Sequence, residues 1–205
     1  MANVKITDLT AASTPLAGTE LFETVQSGSS KSVAASAIGN SATAVPFLSL
    51  AGRATISAIS TTDQTGNISA ATAIKLESTV FSSGISIAND GSGNPTRITF
   101  AVAGTYALAP SIQFKNTDSN DHDATFWFRK NGTNIANSAS VVNVPKAADG
   151  GAMFSQIVFY EQVTAGQYIE IMWLPENAAV TIDFTAAGAI APAIPSVILA
   201  AERIA

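Results

Sequence analysis

Two stretches of this chain share one construction: an alternating apolar strand, an Ala-Gly pair, one polar residue, a tyrosine, then a second alternating strand. The first is Arg97-Ile-Thr-Phe-Ala-Val-Ala-Gly104-Thr-Tyr106-Ala-Leu-Ala-Pro-Ser-Ile-Gln-Phe114. Ile98, Phe100 and Val102 alternate before the glycine, and Tyr106, Leu108, Ile112 and Phe114 after it. The second runs from Phe154 through Val163-Thr-Ala-Gly166-Gln-Tyr168 to Trp173. A period of two over such lengths means extended chain with one buried face. The glycine permits a kink, so that one segment serves both halves of a sandwich. A chain built this way is all-β.

Further strand patterns lie at Ala73–Val80, Gly84–Ala88, Ala124–Arg129, Thr133–Val142, Val180–Phe184 and Ser196–Arg203. Turn formers separate the strands at Asn89–Pro95, Asn131-Gly132 and Asp149-Gly150-Gly151. The set fits a two-sheet antiparallel jelly-roll sandwich over residues 66–205. Residues 1–40 read as a small β-hairpin arm, with strands at Glu20–Gln26 and Lys31–Ala34 and a helical turn at Ala34–Ile38. The arm has too few large apolar residues for a core of its own. It is therefore disordered alone, intertwined with copies of itself, or docked on another protein. Residues 41–65 are rich in Ser, Thr and Ala, with Val45, Phe47, Leu48, Leu50, Ile56 and Ile59 interspersed. They read as a neck around a threefold axis, where symmetry copies bury sparse apolar residues.

Composition narrows the function. The chain of 205 residues is 47% hydrophobic but only 12% charged, about half the usual ~25%. Either Ser, Thr, Asn and Ala cover the surface, or much of it is buried against partners. Net charge is −5 with no basic run, so direct nucleic-acid binding is not expected. There is no cysteine, which excludes disulfides and thiolate chemistry. The first residues contain no apolar secretory segment. The most apolar stretch, 186–201, is broken by Pro192 and Pro195 and is too short to span a bilayer. It reads as a loop feeding the last buried strand.

Two resemblances add to this. "ITFAVAGTYALAPSIQF", the Asn-Gly hairpin "FWFRKNGTNIANS", "VTAGQYIEIMWL" and the closing "SVILAAERI" resemble, in order, strands of the jelly roll of the tumour necrosis factor family and complement-type globular heads. That resemblance implies a compact trimer. Gln167 stands where the family has Asp, a departure that leaves the fold untouched because the glycine makes the turn. "ITDLTAASTPLAGTELFETVQSGSSKSVAASAIG", near residues 5–39, resembles the N-terminal segment of tailed-bacteriophage fibre, spike and head-decoration proteins. There it implies a device joining a trimeric exterior module to the virion, with Leu9, Leu21, Phe22 and Val25 as the expected attachment residues.

Candidate chemistry is sparse. The only histidine, His122, sits in Asp118-Ser-Asn-Asp121-His-Asp123. The loop is oxygen-rich as calcium sites are, but lacks the glycine and terminal Glu of an EF-hand, and Asp and Asn suit turns in any case. No metal ligand and no cofactor is expected. Glu161 and Glu170 are the acid–base candidates, read as edge or outward-facing strand residues. No nucleophile elbow or phosphate loop is present, so no enzymatic activity is expected. The strand aromatics pair with core or interface packing better than with a carbohydrate platform. Trp127 must face opposite to Phe126 and Phe128. Trp127, Tyr106 and Tyr168 are the expected trimer-interface residues.

The expected function is that of a phage virion structural protein on the exterior of the particle. It would be a homotrimeric capsid decoration (cement) protein or head fibre that binds the major capsid protein, with no nucleic-acid or membrane partner. The alternative is a short tail fibre, held by a tail or adaptor protein, whose receptor-binding knob recognises host glycan.

Overall fold

The computed structural model describes residues 53–205 and, as backbone, Leu21–Gln26 and Ser29–Ala34. The chain divides into two units, Met1–Ala51 and Gly52–Ala205. In the first, β1 (Leu21–Gln26) and β2 (Ser29–Ala34) form an antiparallel hairpin in which Leu21 pairs with Ala34 and Gln26 with Ser29. Leu9, the helical turn and residues 41–52 lie outside the described residues, as do the side chains of Leu21, Phe22 and Val25.

The second unit is the expected all-β jelly-roll sandwich. Its strands are β3 (Thr55–Ser60), β4 (Gln64–Thr65), β5 (Thr72–Ala73), β6 (Ser78–Ser83), β7 (Ile85–Asn89), β8 (Pro95–Phe100), β9 (Gly104–Asn116) and β10 (His122–Lys130). There follow β11 (Thr133–Asn134), β12 (Ser140–Val144), β13 (Ala152–Gln156), β14 (Phe159–Val163), β15 (Tyr168–Pro175), β16 (Val180–Ile182) and β17 (Val197–Arg203). An eight-stranded front sheet has the order β4-β16-β9-β17-β3-β6, with β13 and β14 also on β9. A seven-stranded back sheet has the order β11-β10-β15-β8-β7, with β12 on β10 and β5 on β15. All pairings are antiparallel.

Both Ala-Gly pairs mark crossings between the sheets: β8 is in the back sheet and β9 in the front, β14 in the front and β15 in the back. The corners are tied to each other, since Phe100 N–H donates to Gln167 O at 3.0 Å and Gly166 N–H to Phe100 O at 2.8 Å. Gly166 has φ +83°, which a side chain disfavours. Gly104 is required for a different reason: a Cβ there would overlap the carbonyl oxygen of Ala205 and the Arg203 side chain. Gln167 closes this turn with its side chain, its Oε1 accepting from Thr164 N–H at 2.9 Å. The Asn131-Gly132 turn has φ +49° and +84°, as a tight hairpin needs.

Between the sheets lie Trp173, Tyr106, Phe100, Phe114, Phe126 and Phe128, all fully buried. Phe114 packs 6.1 Å from Trp173 and 6.3 Å from Phe126, and Phe128 stacks on Phe159 at 4.5 Å. Several expectations need correction. The neck assigned to 41–65 contains β3, which pairs along β17 from Thr55↔Glu202 to Ser60↔Val197. Ile56 is a core residue, and the sandwich starts near residue 53 rather than 66. The expected strand 133–142 is broken by Asn137 at φ +60°. The alternating stretch from Phe154 to Val163 is two strands on β9, and 73–80 divides between the two sheets.

Candidate interaction surfaces

The two outer faces of the sandwich differ in chemistry. On the front sheet, register places Tyr160, Ala107, Glu202 and Thr55 in one cross-strand row. The next row holds Ala109, Ala200, Ser57 and Phe81, and another holds Gln156, Ser111, Ile198 and Ile59. Small residues line the middle, while Phe154 (52% exposed) and Tyr160 (59%) stand at one side and Phe81 (56%) at the other. Glu202 pairs with Arg53 at 3.5 Å and Lys115 with Asp183 at 3.3 Å, so the charges here are neutralised.

Between β16 and β17 the chain makes an excursion, as the sequence of 186–201 implies. Asp183 N–H donates to Gln113 O, and Gln113 N–H to Ser196 O, so the excursion leaves and rejoins the sheet at one position on β9. Its base is closed by mutual bonds of Thr185 and Ile194 at 3.0 and 2.8 Å, and its tip by Gly188 N–H to Ala191 O at 3.0 Å. Every residue from Thr185 to Ile194 is exposed, and none is charged. Ile190 is 101% exposed. With Ile194 also exposed, the hairpin presents an uncharged, largely apolar surface.

The back sheet presents a different face. Trp127 emerges opposite Phe126 and Phe128, as alternation requires. It is half-buried, and its Nε1–H donates to Asn134 Oδ1 at 2.8 Å. Arg97 lies 4.4 Å above the Tyr168 ring. Glu170 is not outward and solvated: it is 2% exposed. Its Oε2 accepts from Arg129 Nε at 3.0 Å and lies 2.9 Å from Nη2, while Oε1 accepts from Thr96 Oγ1 at 3.0 Å. Glu161, on β14, pairs with Lys130 on β10, joining the two sheets. Both carboxylates are therefore engaged in ion pairs within the sandwich.

Tyr106 does not serve an interface between subunits. It is fully buried within the protomer, with Phe100 at 4.5 Å and its hydroxyl donating to Val102 O at 2.8 Å. Burial pushes its phenol above the ordinary range, against a weaker opposing pull from Arg203.

The carboxylates around His122 diverge. Asp118 Oδ2 lies 2.6 Å from His122 Nε2 and Glu176 Oε2 lies 3.6 Å from Nδ1, on opposite sides of the ring. Asp121 accepts from Lys146 N–H at 2.8 Å, and Asp123 accepts from the Asn143 amide at 2.9 Å. Among the described residues no group of His, Asp and Glu converges as metal ligands do. The Asp118 hydrogen bond, helped by the Asp118 and Glu176 charges, holds His122 above its ordinary 6.5. The same bond, with the Ser119 N–H, holds Asp118 below its ordinary 3.8.

No protein-family model matches the chain, and no curated protein matches it. Among solved structures it is similar to the crystal structure of murine APRIL at pH 8.5, with TM-score 0.47 and 10% identity over 74% of this chain and 99% of that one. Similarity to murine APRIL at pH 5.0 has TM-score 0.47 and 8% identity, and at pH 8.0 TM-score 0.49 and 10% identity, with the same coverage.

Proposed function

We propose that this protein is a homotrimeric structural component of the exterior of a tailed-phage particle, a capsid decoration protein or head fibre. The observation that carries the trimer is the apolar front face with its uncharged hairpin 185–194. A copy of the same chain is the natural cover for a surface whose charges are already paired, because association then desolvates apolar area without stranding an ion. Phe154, Tyr160, Ile198 and Phe81 replace Tyr106 in this role. Trp127 and Tyr168, also expected there, belong to the opposite face.

The arm motif supports attachment to a capsid, with Leu9, Leu21, Phe22 and Val25 as the proposed contacts to the major capsid protein. Three arms on one trimer act together, so weak individual contacts combine by avidity. The action is mechanical: the trimer bridges neighbouring capsid subunits and resists their separation.

Particles made without the protein test this. They should assemble, rupture at lower temperature or osmotic stress, and regain stability in proportion to the protein added back. Protein lacking residues 1–40 should restore nothing. An unchanged rupture temperature together with lost adsorption to cells would instead establish the tail-fibre role.

A further inference from the structure

On the back sheet, alternation puts Ile98 and Phe100 inward and Arg97 outward. Ile74 and Leu76 are buried while Ala73 and Lys75, on either side of Ile74, are half-buried, and Ala73 pairs with Met172. Lys75 therefore shares the outer face with Arg97, Arg129, Trp127 and Tyr168. Three cations share this face with the buried carboxylate of Glu170 and the exposed one of Asp123, in a chain of net charge −5. Arg129 is committed to Glu170. Among the described residues neither Arg97 nor Lys75 has an ion-pair partner. Asp90 attracts Arg97, but its carboxylate is occupied by the N–H groups of Ser92 and Asn94 at 2.8 and 2.9 Å. Arg97 Nε is buried without any hydrogen-bond partner.

We propose that this face binds an acidic saccharide, with its carboxylate on Arg97 and Lys75 and a neighbouring sugar ring laid against Trp127. A guanidinium stacked on an aromatic ring keeps its edge for a planar anion, the geometry that suits a carboxylate. The indole offers the flat apolar platform that one side of a pyranose fits. Its orientation is fixed by Asn134, whose amide nitrogen remains available to sugar hydroxyls. At about 4.8 Å between strands and 3.4 Å along them, Trp127 and Arg97 lie on the order of 10–15 Å apart, the length of a di- or trisaccharide. Nucleic acid is disfavoured, since two free cations do not make a phosphate track. The site is on the opposite sheet from the front face and uses no residue of the arm, so its test does not depend on trimerisation or on attachment.

The experiment is binding of the full-length protein to a panel of oligosaccharides carrying glucuronate, galacturonate or terminal sialate, each beside its neutral parent. At least one acidic member should bind, and its neutral parent should bind about tenfold more weakly or not at all, as expected for loss of a charge-assisted contact. Arg97→Gln should cost a similar factor, Trp127→Ala should weaken acidic and neutral sugars alike, and added salt should weaken only the acidic ones. Lys115→Gln, on the front sheet, should change nothing. Arg97→Gln also removes the stacking on Tyr168, so its melting temperature is read beside its binding, and Lys75→Gln is the second variant, whose effect reports the charge. Absence of any preference for an acidic sugar over its parent, or equal binding by both cation variants, overturns the proposal.

Discussion

Glu170 illustrates how far a single residue can depart from what its neighbours in sequence imply. In Ile169-Glu170-Ile171 it looks like the solvated member of an alternating strand, yet Arg129 and Thr96 enclose it. Its ion-pair partner is 41 residues away, so no local pattern announces the pairing. Removing one member of such a pair leaves the other uncompensated. Glu170→Ala should therefore lower stability by about 3 kcal/mol, measured by urea denaturation, and Glu170→Gln should lower it less because the Thr96 bond can persist. His122 supplies a pH signature. Its raised pKa means that its contribution is complete below 6.5 and is lost as pH rises through the higher folded value. Asp118, held below 3.8, contributes above 3.8 and loses this as pH falls through its lower folded value. The melting-temperature difference between the parent and His122→Gln should thus be widest between pH 3.8 and 6.5 and shrink on both sides. A difference that grows toward alkaline pH would contradict the assigned bond.

Elements were legible in the sequence where inward residues are large. Strands β8, β9 and β15 declare themselves through Ile98, Phe100, Leu108, Phe114 and Trp173, and their Ala-Gly corners fall where alternation changes sheet. Strand β3 does not, because two of its three inward positions are Ala58 and Ser60, and small residues leave a weak hydrophobic period. Ser60 is instead fixed by polar bonds, accepting from Ser196 Oγ at 2.9 Å and from Gln64 Nε2 at 3.0 Å. A chain beginning at Thr61 should consequently fail to fold, since β17 and β6 lose the strand between them, whereas one beginning at Gly52 should fold cooperatively. Circular dichroism of both distinguishes the cases. The hairpin 185–194 behaves oppositely. Replacing its tip with a short polar turn should leave protomer stability within about 0.5 kcal/mol while weakening self-association, read by sedimentation.

At the scale of the molecule, the sequence conveyed an all-β sandwich but not which face is free. That distinction is set by cross-strand register, which places the charges of the front sheet into pairs and leaves Phe154, Tyr160 and Phe81 uncovered. The second unit, residues 52–205, should therefore sediment as a trimer at micromolar concentration. Tyr160→Lys with Ile198→Lys should yield a folded monomer, because burying two unpaired cations costs more than the apolar contact returns. A monomer from the unaltered chain would rule out the front-face assembly.

The entry and the exit of the sandwich lie side by side. Thr55 pairs with Glu202, Arg203 N–H donates to Ala54 O at 2.8 Å, and Thr105 N–H reaches Ala205 O at 2.9 Å. The exposed turn at Asp149-Gly150 lies at the other end of β9, where Asn116 N–H donates to Gly151 O at 2.7 Å. The order of the strands along the chain is thus separable from their arrangement in space. A short peptide joining residue 205 to residue 53, with new ends opened between Asp149 and Gly150, should fold to the same sandwich. Such a circular permutant would carry its two ends at the pole away from Arg53, turning an interior turn into a tether point for displayed cargo.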